Sequence, residues 1–509
     1  MNKNHQNVFL LIGLSLLMLG LSSCSEQDMA NIKLLAHLKK YDEARNFIIE
    51  RNYKESNPIS RDDWEAGFVV DESDQFSPIE IGLLEENEKL IIEQSHKEAI
   101  RKSAIDISPL RNDPVALAKF CEEIPKGGML HVHPYGLFTR DVVIKILSKY
   151  NPVIEPEYFI KTIKNQGQML YDYEIEALRS LPESEHFLSL SEADQSLFVD
   201  FFFLPTDPPS HDFTRFDAIF VFVIWMVEDE HLDDKMEMLY LDFLSRAAGH
   251  GISYIEFTNG FLPTLESIEK LTNWSDKFYK ETGVVVRWNL GQLRFLPGEN
   301  NGELIKKWNT LLVEHPTDAI VGVDLYAIER GNPALERAQE AYGYLSGYNR
   351  EHPDDHPLEM TMHAGELGDP RNVRDALVMG VSRVGHGVKL KDDLVTLEYA
   401  RNIKPGIEMN ITSNYRLEVF DMKSGPHPFL RFLRLGIPVS LSTDNDGIFD
   451  TNISKECIAA VSTTDVTYAE LQQMSFNSIS TSFASPKVKD ILSNRLRQSF
   501  TLFEQEYLN

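Results

Sequence analysis

From about residue 126 onward the chain repeats one pattern, a short apolar run followed by a segment with helical spacing. The runs are GMLHVH (128–133), ISYIEF (252–257), VVVRWNL (284–290), AIVGVDL (319–325), LEMTMH (358–363), SRVGH (382–386), GIEMNI (406–411) and IPVSLST (437–443). Between most of them lie segments such as ELIKKWNTLLVEH (303–315) and LVTLEYARN (394–402), whose apolar residues recur at helical intervals. Strands that alternate with helices make βα units and a parallel sheet. Eight such units predict an α/β fold, a (β/α)8 TIM barrel, whose reactive side chains gather at the C-terminal strand ends. With 509 residues, 42% of them hydrophobic, the chain can bury that core and carry additions.

The additions are legible too. The interval from residue 134 to 251 is far longer than an ordinary βα connection. It contains DAIFVFVIWMVED (217–229), so a mainly helical insertion over about 139–235 is expected beside the barrel mouth. Before the barrel (126–509), residues 61–125 read as a helical extension, with ENEKLIIEQSHKEAIRKSA (86–104) as an amphipathic helix carrying Leu90, Ile91, Ile92 and Ile100. Residues 24–60 are polar and charged and read as a partly helical linker.

At the N-terminus, Lys3 precedes VFLLIGLSLLMLG (8–20), which is too short to span a bilayer comfortably and has the form of a signal peptide over 1–23. The following Leu21-Ser22-Ser23-Cys24 resembles the lipobox of bacterial lipoproteins, which implies cleavage before Cys24 and lipidation there. That places the protein in a bacterial cell envelope, periplasmic or at the surface, with a lipid anchor as its sole membrane attachment. Only Cys121 and Cys457 then remain, too few for a disulfide framework or a cysteine metal site, and they read as small buried hydrophobes. The 78 acids against 50 bases give a net charge of -28, which argues against nucleic acid or anionic membrane surfaces as partners.

Five residues at the ends of the runs carry the chemistry. His131 and His133 stand two apart on the first strand, so both imidazoles reach one face. His363 ends the fifth strand, His386 the sixth, and Asp444 follows the eighth in VSLSTDNDG (439–447). In a closed barrel these positions converge at one rim, and three imidazoles with a carboxylate suit zinc with room for a water. Glu366 lies three residues beyond His363 in MHAGE, where Ala364-Gly365 lets the chain turn back and face that water. His386, between Gly385 and Gly387, can orient or deprotonate it. Other clusters fall away. His352 and His356 have helical ligand spacing but sit among prolines. DNDG resembles the start of a calcium loop, yet its twelfth position is Lys455 rather than glutamate. No P-loop, nucleophile elbow or dinucleotide glycine pattern occurs.

Taken in order, HVH, MHAGE, GHG, TSN (412–414) and SLSTD resemble the adenosine/AMP deaminase superfamily of metal-dependent hydrolases. IPKGGMLHVH, the long insertion and FNSISTSF (476–483) are most similar to its extracellular adenosine deaminase growth factor branch. The resemblance implies one zinc ion per chain held by His131, His133, His363 and Asp444. It further implies that Glu366 protonates purine N1 while metal-activated water attacks C6, with His386 as base and stabiliser of the attacking oxygen. The expected reaction is deamination of a 6-aminopurine nucleoside, adenosine or 2′-deoxyadenosine, outside the cytoplasm. A homodimer through the N-terminal helices is a further expectation from the branch.

Three positions depart from the family. Pro134 and Tyr135 stand where an aspartate often binds ribose, and Ala327 replaces a glycine whose N–H reaches purine N3. Asn445 replaces an aspartate that bonds purine N7; N7 only accepts, so an amide can serve there. Tyr135, Ala327 and Asn445 are therefore the candidate substrate-binding residues. Two other readings stand beside this one: a hydrolase of another aminopurine, amide or ester, and a nucleoside-binding or signalling protein.

Overall fold

The computed structural model describes residues 25–68, 76–421, 423 and 425–508. The signal segment 1–23 and Cys24 lie outside the described residues.

Each of the eight apolar runs forms a strand: β1 (Gly127–Val132), β2 (Ile252–Asn259), β3 (Val285–Leu293), β4 (Ile320–Tyr326), β5 (Glu359–Ala364), β6 (Arg383–His386), β7 (Gly406–Met409) and β8 (Val439–Leu441). They pair in parallel and in chain order, with helices outside, as a (β/α)8 TIM barrel. Near-continuous apolar runs suit strands covered on both faces. β1 and β8 share no ladder; they meet at one bridge, Val132 with Asp444. Asp444 N–H donates to His131 O (3.1 Å) and His133 N–H to Asp444 O (3.2 Å). Below these, the Ser442 hydroxyl accepts from the N–H groups of Leu130 and His131 (3.1 and 3.2 Å). The helix Tyr468–Ser480 spans the same seam, since Asn477 donates to Val439 O (2.9 Å) and Ser478 accepts from Gly128 N–H (2.8 Å). FNSISTSF is thus the closure of the barrel's base.

The long connection after β1 folds as helices Arg140–Tyr150, Pro156–Asn165, Asp172–Arg179, Glu192–Asp200, Phe213–Val227 and Leu232–Gly249. It also holds a two-stranded antiparallel ribbon, Val153–Ile154 with Glu185–His186, which the apolar pattern is too short to announce. The apolar run 217–229 lies largely within the helix Phe213–Val227, apolar on nearly every side because it is packed on nearly every side. Phe222 stacks on Phe159 (ring centroids 4.5 Å) and Phe216 on Phe449 (5.3 Å), the second contact tying the insertion to the loop after β8.

Two expectations for the N-terminal region need correction. The described part of 24–60 is no linker: Ser25 caps the helix Glu26–Ile49, a π-helical turn Glu50–Lys54 follows, and both pack on barrel helices. Its buried residues Tyr41, Ala44 and Ile48 recur at helical spacing but are diluted among Lys, Asp and Glu, which hides the stripe. The amphipathic helix runs over Pro78–Lys102, yet Leu90 and Ile100 face outward while Glu80, Leu84 and Glu88 face inward. Glu88 enters because Arg431 meets its carboxylate bidentately (2.5 and 2.8 Å).

Candidate active site

The strand ends bring together the residues that the sequence marks. His131 Nδ1 lies 2.9 Å from Glu408 Oε2 on β7, which leaves buried Nε2 aimed inward without a hydrogen-bond partner. His363 Nδ1 lies 3.0 Å from Asp324 Oδ1 on β4, and its Nε2 faces His133 Nε2 at 3.0 Å. A carboxylate at each Nδ1 fixes the tautomer with Nε2 unprotonated, as metal-binding histidines require. Asp444 Oδ1 lies 3.4 Å from His133 Nε2 and 3.8 Å from His131 Nε2. With Zn–N near 2.0–2.1 Å, two ligands of a tetrahedral ion lie roughly 3.3 Å apart, so these separations fit the edges of such a site. The set also fits chemically, because facing lone pairs and an orphaned buried Nε2 call for a cation. Gly385 makes room: a Cβ there would stand 2.8 Å from the His131 ring.

Glu366 is held by its backbone. One carboxylate, Glu329, accepts from four consecutive N–H groups, those of Gly365, Glu366, Leu367 and Gly368, at 2.8, 2.9, 3.0 and 2.8 Å. The buried Arg294 guanidinium donates to His363 O at the start of the same turn. Burial, and after it the Asp444 and Glu329 carboxylates, hold the Glu366 carboxyl well above the usual carboxylate range. That direction favours the protonated form of the carboxyl.

His386 Nε2 lies 3.6 Å from Glu366 Oε1. Its other nitrogen ends a directed chain. Phe429 N–H donates to His427 Nδ1 (3.4 Å), and His427 Nε2 then donates to Asn414 Oδ1 (3.2 Å). The Asn414 amide in turn donates to His386 Nδ1 (2.8 Å). This order puts the proton of His386 on Nε2, facing the site. Burial and the neighbouring imidazoles hold its pKa well below the ordinary value, so the ring is neutral. A neutral Nε2–H can donate a hydrogen bond to an oxygen placed beside it.

The candidate substrate-binding residues line up less simply. Tyr135 sits in the turn Pro134–Gly136 just beyond β1 and donates to Glu228 Oε1 (3.3 Å) at the end of the insertion helix. Ala327 follows β4 with φ of +79°, a conformation that favours glycine. Asn445 donates to Asp444 Oδ1 (2.7 Å), and its Oδ1 packs where a Cβ on Gly136 would be, 2.2 Å away. Asn445 is thus tied to Asp444 and packed closely on Gly136. Ser413 Oγ steadies the other Asp444 oxygen (2.7 Å).

Sequence reasoning missed Asp324, Glu329, Glu408, Arg294 and the roles within TSN. The signal was an acid inside an apolar run, AIVGVDL and GIEMNI, where a charge needs a buried partner.

The sequence profile of the adenosine deaminase family matches residues 209–499, taking in His363, Glu366, His386 and Asp444 and beginning after His131 and His133. An adenosine deaminase from Enterococcus faecalis is 27% identical over 296 residues, 56% of this chain and 81% of that protein. One from Yersinia pseudotuberculosis is 31% identical over 176 residues, 34% of this chain and about half (52%) of its own length. Among solved structures, an adenine deaminase from Arthrobacter aurescens gives a TM-score of 0.54 at 19% identity, covering 74% of this chain and 98% of its own. An amidohydrolase from Burkholderia ambifaria with bound Zn gives 0.53 at 16% identity over 76% and 94%. The Arabidopsis N6-mAMP deaminase gives 0.52 at 18% identity over 75% and 99%. At these identities the structural likeness speaks for the fold.

Proposed function

This chain belongs to the adenosine deaminase family of hydrolytic enzymes, and from that premise we propose that it deaminates a 6-aminopurine nucleoside, adenosine or 2′-deoxyadenosine, to the 6-oxo product and ammonia. The observation that carries this is the meeting of Glu366 with His386 beside His131, His133, His363 and Asp444. Those four residues would hold one zinc ion, which when bound supplies a Lewis acid that makes water nucleophilic near neutral pH. Glu366 gives its proton to purine N1 as oxygen adds to C6, and its carboxylate recovers the water's proton, so the addition is proton-neutral. The same carboxyl then passes that proton to the departing amine, and as the C6–N bond breaks it takes up the remaining proton of the added oxygen, which leaves the 6-oxo group and restores the acid. His386 Nε2–H holds the oxygen throughout, and the hydrogen-bond chain behind it prevents the ring from turning away.

Ammonia release from adenosine, 2′-deoxyadenosine and adenine, and methylamine release from N6-methyl-AMP, test this reading. Turnover of a nucleoside with the weakest response to adenine supports it, and turnover of the free base or the nucleotide alone would move the enzyme to another aminopurine. That second reading draws on Ala327 and Pro134-Tyr135, where ribose and N3 contacts of the family are altered.

The long insertion and N-terminal helices also support assignment to the growth factor branch. The lipobox-like Leu21–Cys24 supports a lipid anchor in the cell envelope. Among the described residues no helix is long and apolar enough to cross a membrane. Labelled-lipid incorporation that disappears in Cys24→Ser checks the anchor. Ile79, Leu90 and Ile100, exposed along the helix Pro78–Lys102, support a homodimer, and light scattering of the full chain checks it.

A further inference from the structure

Outside the active site, the fold brings together two cysteines that lie 336 residues apart in sequence. Cys121 sits near the end of the helix Pro114–Glu123, which leads into β1. Cys457 sits in the helix Ile453–Thr463, which follows β8. Both are buried, and their Sγ atoms lie 2.7 Å apart, closer than unbonded sulfurs normally pack. A disulfide bond is about 2.05 Å long, so closing it asks for less than an ångström of movement.

The position gives such a bond a purpose. The two helices flank the one place where the barrel lacks a strand ladder, between β1 and β8. The metal-ligand set straddles that seam, with His131 and His133 on one side and Asp444 on the other. A shift of the seam would therefore separate ligands that must share one ion. Cys121, Cys457 and the buried Lys126 form one cluster at the foot of the seam; the Lys126 ammonium donates to Glu122 O (3.0 Å) and Ile124 O (2.9 Å). Leu441, at the end of β8, and Ser478, which bonds β1, line the same small cavity as Lys126 and Cys457.

We propose that Cys121 and Cys457 form a disulfide that staples the β1–β8 seam and so keeps the two halves of the metal-ligand set in register. The step is thiol–disulfide exchange. One thiolate attacks a small-molecule or protein disulfide to give a mixed disulfide, and the second thiolate displaces that partner. Overall two thiols lose two protons and two electrons, and the donor disulfide is reduced to two thiols. The contact with Cys457 and burial both hold the Cys121 thiol well above its ordinary pKa, so exchange belongs to folding, before the helices close over the sulfurs.

The full chain refolded from denaturant in glutathione redox buffer, then alkylated in denaturant without reductant, tests the bond. The expected result is no alkylation at Cys121 or Cys457, with a cross-linked peptide joining them that dithiothreitol separates. Alkylation of both residues, or a glutathione adduct on either, overturns the proposal. The same alkylation on chain taken directly from cells gives an answer that does not depend on refolding. For the staple itself, oxidised protein is expected to melt a few degrees above the reduced form and above Cys121→Ser/Cys457→Ser. It is also expected to retain zinc at a chelator concentration that strips both of those. Equal melting and equal zinc retention in the three forms would overturn the seam role even if the bond forms.

Discussion

At the scale of single residues, the site concentrates unusual backbone and unusual protonation. Ala327, His386 and Asp444 all have positive φ, at +79°, +61° and +61°. For a non-glycine residue this conformation costs about 1 kcal/mol, and such strain gathers where geometry must be held. Ala327→Gly is therefore expected to raise stability by about 1 kcal/mol less the added freedom of the unfolded chain, as read by urea unfolding. Its effect on KM then shows whether the Ala327 methyl narrows the purine pocket. Glu366 must be protonated to serve as the acid, and its pKa is raised, so kcat is expected to hold through neutral pH and fall as pH climbs through that raised value. Glu366→Gln should cost roughly 10²–10⁴-fold in kcat while leaving bound zinc unchanged. Asn445→Ala distinguishes two roles: a rise in KM with zinc retained marks a purine contact, whereas loss of zinc affinity marks an orienter of Asp444.

At the scale of elements, legibility and its limits have clear causes. All eight barrel strands were legible because each is a short apolar run bounded by polar helical segments, and a parallel strand buried on both faces leaves that trace in sequence. His131 with His133, His363, His386 and Asp444 were legible because barrel topology alone brings strand ends together. The partners behind them were not. Glu329 reaches four N–H groups across a turn that closes only in three dimensions, and the Phe429–His427–Asn414–His386 chain links residues from separate elements. The helix Glu26–Ile49 was misread for a related reason, its buried face being spread thinly among charges. The Glu329 anchor has a direct consequence for the loop it holds. Glu329→Ala frees four backbone donors and is expected to lower kcat roughly 10²-fold through misplacement of Glu366, with KM changed far less. Glu329→Gln should recover little, because its amide would face N–H donors. Equal kcat in wild type and Glu329→Ala would show that the turn holds itself.

At the scale of the whole molecule, one barrel carries the chemistry and two additions shape it. The insertion after β1 sets Glu228 against Tyr135 and Phe216 against Phe449, so it borders the mouth from both ends of the barrel sequence. The N-terminal helices pack on the barrel's outer helices. The central claim concerns what that convergence does, and one measurement reaches it most directly: ammonia release from adenosine by the full chain, stripped of metal and then reloaded with one equivalent of zinc. The expected result is equimolar inosine and ammonia that vanish on stripping, return with zinc, and stay absent in zinc-loaded Glu366→Gln. Zinc-loaded wild-type protein that releases no ammonia from adenosine or any other aminopurine would contradict it.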